Sequence, residues 1–298
     1  MKIGHISDIH WLDTTGAKVT DFFNKRISGG INLLAGRAKT HSRQTAQCAL
    51  KTLVEQGCEH LVITGDLTNL ALPGEFAGVK TMLNQYFRDD QMTIVPGNHD
   101  FYTRESAKAK RFESMIYTEA PGNVDIEVSG TWPFVRRVHD VAFIGLCSAQ
   151  PRPWFVAAGK LGQTQLDDLK KVLEHPSVRD CVKIVALHHH LFQVNMASGE
   201  SLRCLEDREP LLDICRQYGV QLVMHGHNHL YFIKQIENLI IAETGSCSIC
   251  RYHHENKAGK FNLYTVEDKA ITQIETWRFD NDAFSLWKTW TPQELPSV

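Results

Sequence analysis

The stretch His60-Leu61-Val62-Ile63-Thr64-Gly65-Asp66-Leu67-Thr68-Asn69 is an apolar run that passes through a glycine onto a carboxylate and, three residues on, an amide. A short run of aliphatic and β-branched residues bounded by a turn signal reads as a buried strand. The glycine permits a sharp change of direction, so the polar residues fall in a loop just past the strand's carboxyl end. The same construction recurs four times. Residues 3–7 lead to Asp8-Ile9-His10, and residues 92–95 to Gly97-Asn98-His99-Asp100. Residues 182–187 lead to His188-His189-His190, and residues 220–224 to Gly226-His227-Asn228-His229. Any one of these alone reads as a turn or a helix cap, because Asp and Asn tolerate such backbone. Five in order do not. Together they offer Asp, Asn and His donors with no thiolate, which suits a pair of divalent ions (Mn, Fe, Zn, Co or Ni) better than a structural zinc knot.

Helical periodicity fills the gaps between these runs. Residues 44–56 place Ala46, Ala49, Leu50, Leu53 and Val54 on one face, and residues 75–87 do so with Phe76, Val79, Met82, Leu83 and Tyr86. Residues 163–173 and 206–218 repeat the pattern. Strands alternating with amphipathic helices predict an α/β fold with largely parallel strands. After His229 the helical pattern stops. Residues 231–236, 239–242, 261–266 and 270–279 read as successive strands, expected to form a second sheet against the first. The absence of a linker or a repeat predicts one domain over 1–298.

The bulk numbers bound the function class. A length of 298 residues supports a large core, and 43% hydrophobic with 22% charged residues is ordinary globular composition. A formal net charge of -2 lacks the basic excess of a protein that binds nucleic-acid polymers. No apolar stretch is long enough to span a membrane. Residues 1–7 read straight into a strand, so a cytoplasmic protein is expected. The eight cysteines are scattered and read as free thiols filling apolar space. Cys247 and Cys250 lack the second spaced pair that a zinc site needs.

The five blocks resemble the calcineurin-like metallophosphoesterase superfamily, whose pattern is D-x-H, G-D-x-x-[ND], G-N-H-[DE], H and G-H-x-H. All are present, in order, from residue 8 to residue 229. The resemblance implies a four-layer α-β-β-α sandwich with two packed mixed sheets and the metal site at the strand carboxyl ends. It further implies Asp8, His10 and His229 on a first metal, Asp66 as the bridge, and Asn98, His188 and His227 on a second. His99 would contact the phosphate or protonate the leaving oxygen, with Asp100 orienting it. Asn69 would hydrogen-bond near the bridging Asp66 or brace its loop, and His189 would give outer support. In such sites two ions about 3.5–4 Å apart generate a bridging hydroxide that attacks phosphorus. The chain departs from the family at His190, where a proline is common, so the shape of that loop is open.

Residues 18–43 form a basic, amphipathic insertion. Lys18, Lys25, Arg26, Arg37, Lys39 and Arg43 stand against the single acid Asp21, with Phe23, Ile27, Ile31 and Leu34 at near-helical spacing. Such a cap, with Arg26 and Arg37 as substrate contacts, could lie on an anionic membrane at its inner face or receive an acyl chain beside a phosphate. The plainer alternative is a solvated helix packed on the domain edge. This insertion and the blocks around Trp132 and Lys160 resemble uncharacterised bacterial members of the superfamily, neighbours of the cyclic-nucleotide phosphodiesterases and the UDP-diacylglucosamine pyrophosphatases. The expected activity is hydrolysis of a phosphodiester or pyrophosphate, nucleotide or lipid-linked. The alternatives are a phosphomonoesterase acting on a phosphoprotein or small metabolite, and a scaffold that keeps the fold without catalysis.

Overall fold

A computed structural model of the chain describes residues 1–15, 40–153, 156–192, 202–252 and 254–296. The first sheet has the order β12-β11-β10-β1-β2-β3 and the second β4-β5-β6-β7-β9-β8. In the first, β1 (Lys2–Ile6), β2 (His60–Ile63) and β3 (Met92–Ile94) are parallel. Antiparallel β10 (Lys260–Glu267), β11 (Ala270–Asp280) and β12 (Ala283–Trp290) extend it beyond β1. In the second, β5 (Val141–Gly145), β6 (Val182–Ala186), β7 (Leu222–His225) and β9 (Leu239–Glu243) are parallel. Antiparallel β4 (Phe134–Val138) and β8 (Phe232–Ile236) close its edges.

The layers follow from side-chain alternation, since successive strand residues face opposite ways. On β6, Val182, Ile184 and Ala186 join a core shared with Ile3, Val62, Phe143 and Tyr264, so this core lies between the sheets. Val185 and Leu187 point the other way, toward α5 (Gln163–Glu174) and α6 (Arg208–Gln217). On β2 the outward pair is Leu61 and Ile63, which pack with α1 (Arg43–Glu55) and α2 (Pro73–Asn84). The result is helix, sheet, sheet, helix. Strands covered on both faces have no solvent side, which explains why they read as continuous apolar runs. Two short helices, α3 (Arg104–Lys108) and α4 (Arg111–Ile116), follow the third motif.

One expectation is corrected. The strands after His229 do not make a sheet of their own. β8 and β9 join the second sheet, while β10 to β12 return to the first, where β10 pairs with β1 from Lys2↔Thr265 to His5↔Asn262. Sequence order cannot reveal this exchange, because pairing is set by which edge remains open. β4 and β12 were not anticipated; β4 carries Arg136 and Arg137 amid its apolar residues, and β12 is largely solvent-facing.

Candidate metal centre

All five motif loops meet at the carboxyl ends of β1, β2, β3, β6 and β7. The first two run side by side past their strands: Asp8 N donates to the Gly65 carbonyl at 3.0 Å, His10 N to Asp66 O at 3.0 Å and Trp11 N to Leu67 O at 2.8 Å. Two cross-links join the sheets here. His188 Nδ1 lies 2.7 Å from the Thr64 carbonyl, and His227 N donates to Asp8 Oδ2 at 3.2 Å.

The donor atoms converge in two groups that share one carboxylate. Asp8, His10 and Asp66 form one group and Asp66, His188 and His227 the other, each with ligand atoms within 4.8 Å of one another. Within them, His10 Nε2 lies 3.0 Å from His229 Nε2, and His229 Nε2 lies 3.2 Å from Asp8 Oδ1. On the other side His188 Nε2 is 3.2 Å from Asn98 Oδ1, 3.2 Å from His227 Nδ1 and 3.5 Å from Asp66 Oδ1. Imidazole nitrogens directed at one another and at carboxylate oxygens, in a buried place, form a donor set that a cation satisfies and a hydrogen-bond network does not. Asp8 Oδ1 is buried without a hydrogen-bond donor, as a metal ligand would be. The residues fit a divalent pair.

The backbone carries the strain that such convergence requires. Asp8, His10, Asp66, His227 and His229 all have positive φ, at 55°, 52°, 51°, 85° and 55°. Non-glycine residues adopt this region at a cost of about 1–3 kcal/mol each, and they cluster where function demands it. The glycines divide into two kinds. Gly65, at φ +92°, makes the sharp turn that the sequence predicts. Gly97 and Gly226 serve close approach instead: a Cβ on Gly97 would fall on the Asp66 carboxylate, and one on Gly226 would stand 2.6 Å from Asp8 Oδ2.

The electrostatics follow from burial and pairing. Burial alone would raise Asp66, yet His188 and His99 hold its carboxyl far below the usual range. Burial opposes charge on His188 too, but Asp66 lifts it to about 9. His227 goes the other way, its burial and the neighbouring imidazoles of His189 and His188 pushing it well below the ordinary value.

The supporting residues are placed as follows. Asn69 donates from Nδ2 to the His10 carbonyl at 2.5 Å, and its own carbonyl lies 2.7 Å from His99 Nδ1. His99 N donates to Asp66 Oδ1 at 2.8 Å. His189 Nδ1 sits 2.8 Å from Ser148 Oγ, and its ring packs on His227 with centroids 4.8 Å apart. His190 is buried, stacked on His227, and its carbonyl accepts from Leu205 N at 3.1 Å.

Asp100 is a correction. Its carboxylate accepts from Gly97 N, Leu67 N, Thr68 N and Thr68 Oγ1 at 2.9–3.2 Å, so it ties the second and third loops together instead of orienting the His99 ring. The Asn69 carbonyl holds that ring. Arg26 and Arg37 lie outside the described residues, as does most of the basic insertion. At its end, Arg43 stacks over Trp11 at 4.3 Å and donates to the Leu12 carbonyl.

Four participants escape the motif reading. Glu243, at the end of β9, accepts from Asn228 N at 2.9 Å and Leu230 N at 3.3 Å, bracing the last loop. Ser246 and Ser248 donate to the Asp8 carbonyl at 2.7 and 3.2 Å. His41 lies against His10, ring centroids 4.7 Å apart. Only the surplus of fifteen His hinted at such a partner.

Paired sheets flanked by helices, with carboxylates and imidazoles gathered at the strand ends, define a hydrolase site of the metal-dependent kind. The chain belongs to the calcineurin-like phosphoesterases: the model of that family matches residues 1–231, and the protein is therefore a phosphoric ester hydrolase. It is similar to a 3′,5′-cyclic-nucleotide phosphodiesterase of Nostoc sp., 24% identical over 269 residues, covering 88% of this chain and 83% of the relative. Among solved structures it resembles a dimetal phosphatase from Danio rerio, with TM-score 0.58 and 14% identity over 92% of this chain and 94% of that one. It also resembles the purple acid phosphatase PPD1 of yellow lupin, with TM-score 0.65 and 10% identity over 97% of this chain and 53% of that one. At such identities the two structures speak for the fold alone. No helix among the described residues is long and apolar enough to cross a membrane.

Proposed function

We propose that the chain hydrolyses a phosphodiester or pyrophosphate, nucleotide or lipid-linked, with two divalent ions. The observation that carries this is the pair of donor groups sharing Asp66. Asp8, His10 and His229 would hold the first ion, Asn98, His188 and His227 the second, and Asp66 both. Bound there, the ions supply Lewis acidity, which lowers the pKa of the water nucleophile and neutralises phosphate charge. The chain's own contribution is position. His99, its Nδ1 held against the Asn69 carbonyl, presents Nε2 for a proton to the leaving oxygen. Asp100 keeps the loops of Asp66 and Asn98 in register. The likeness to a cyclic-nucleotide phosphodiesterase favours a diester over a monoester.

The test uses bis(p-nitrophenyl) phosphate and p-nitrophenyl phosphate with metal-reconstituted protein. The diester should turn over faster, and Asp66→Ala or Asn98→Ala should reduce turnover to that of the metal-stripped chain. Faster monoester hydrolysis would move the substrate class to phosphomonoesters. Undiminished rates in both variants would refute the site.

A further inference from the structure

We propose that His41 is a further imidazole ligand to the first cation position, beside His10 and His229. The proposal rests on the dimetal reading above. It adds a residue from outside the five motif loops, contributed by the segment that precedes α1.

Proximity comes first. One ligand nitrogen from each of His10, His41 and His229 lies within 4.8 Å of the others. The His41 ring meets His10 edge-on at 4.7 Å between centroids and His229 at 5.5 Å. Three imidazoles converge at such distances around a cation more readily than around one another, because their lone pairs repel.

Placement comes second, and it is built. Ser42 N donates to Ser248 O at 2.8 Å and Cys250 N to Thr40 O at 2.9 Å, a short antiparallel bridge that fixes the backbone on both sides of His41. Ser42 then caps α1, its hydroxyl accepting from Thr45 N at 3.3 Å. The segment facing His41 also fastens the first motif: Cys247 N donates to Ser7 O at 3.0 Å, and the Ser246 and Ser248 hydroxyls to Asp8 O. Residues 246–250 therefore clamp His41 and Asp8 to one frame. This gives the Cys247–Cys250 stretch its place, as backbone and hydroxyls around the site.

The ring is also held by a hydrogen bond of its own. His41 Nδ1 lies 2.7 Å from Ser248 Oγ, and that hydroxyl donates onward to the Asp8 carbonyl. With the proton on Nδ1 the serine oxygen accepts it, and the other nitrogen then carries the lone pair. Metal-bound imidazoles are usually held in this way, one nitrogen bound to an oxygen and the other to the ion. His188 is held likewise by the Thr64 carbonyl. The cation class follows from the donors: three imidazoles with carboxylates favour a borderline transition-metal ion over Mg or Ca.

The experiment reconstitutes the full chain with Co²⁺ and compares wild type, His41→Ala, His41→Gln and Ser248→Ala by metal titration and visible absorption. Wild type should bind two ions. His41→Ala should weaken one of the two by about 10–100-fold, the range seen when support of a metal site is lost, and change the Co²⁺ absorption bands. His41→Gln should not restore either, and Ser248→Ala should shift affinity in the same direction by less. Two ions bound by His41→Ala with wild-type affinity and spectrum would overturn the proposal. So would unchanged metal affinity with weakened competition by inorganic phosphate, which would make His41 an anion contact. Failure of the wild type to bind any cation would instead remove the dimetal reading.

Discussion

The two halves of the centre are built differently. Asp66, His188 and His227 are all buried, and His188 is tied to the Thr64 carbonyl. In the other half Asp8 and His10 are buried, but His41 is only partly so and the His229 side chain is 22% exposed. One triad is a sealed, preorganised socket with Asn98 at its partly exposed rim; the other side opens to solvent through His41 and His229. Water therefore reaches the His41 and His229 side, whereas Asp66, His188 and His227 must keep their places without it.

The largest effect that can break this contrast is a stability difference in the metal-free chain. His188→Ala leaves the buried Asp66 carboxylate without the imidazole 3.5 Å away, and removing one partner of a buried charged pair costs about 3–5 kcal/mol. His229→Ala removes a ring that is itself 22% exposed, so water can reach the Asp8 carboxylate through the gap it leaves, and the loss should be smaller than for His188→Ala. Chemical denaturation of the two metal-free variants measures both. Equal losses would mean that the sealed and open halves are energetically alike. Both variants should lose metal-dependent turnover.

A smaller effect tests how the halves are joined. Asn69 touches each through its backbone or side chain, donating to the His10 carbonyl and holding His99 Nδ1. Asn69→Ala should lower kcat/KM on a diester by about 10–100-fold while both ions still bind, as expected when the partner of a ligand loop is removed. The backbone carbonyl that holds His99 survives this change, so a variant with wild-type kcat/KM would show that His10 keeps its place without the Asn69 side chain.

The same contrast governs what the sequence made legible. Each ligand of the sealed half follows an apolar strand by one to four residues, so periodicity and chemistry reinforce one another in Ile63 to Asp66 or Leu187 to His188. The layering was legible for the same reason, since strands covered on both faces must be apolar. His41 had no such marker: it precedes a helix cap, and its place depends on a backbone bridge to Ser248 some two hundred residues away. The return of β10 to pair with β1 is equally non-local. Asp100 was misread because adjacency to His99 in sequence says nothing about which backbone amides its carboxylate will meet.

The smallest effect separates imidazoles that burial holds neutral from those that a carboxylate holds charged. His60 begins the strand whose far end leads to Asp66, yet burial lowers its pKa to about 3, while Asp66 lifts His188 to about 9. His60 packs against Phe143 between the sheets, ring centroids 4.1 Å apart, with Nε2 on Thr93 Oγ1 at 2.8 Å. Its folded value lies below the unfolded one near 6.5. The stability it contributes is therefore complete above pH 6.5 and is lost as the pH falls from there toward 3. His60→Phe should remove up to about 1.4 kcal/mol per pH unit from the acid slope of unfolding stability, whatever it does to the value at pH 7. Denaturation curves at pH 7, 6 and 5 read that slope directly. An identical slope in the variant would mean that His60 takes up its proton in the fold as readily as in the open chain, and that the space between the sheets is wetter than its lining of Val62, Phe143 and Ile184 implies.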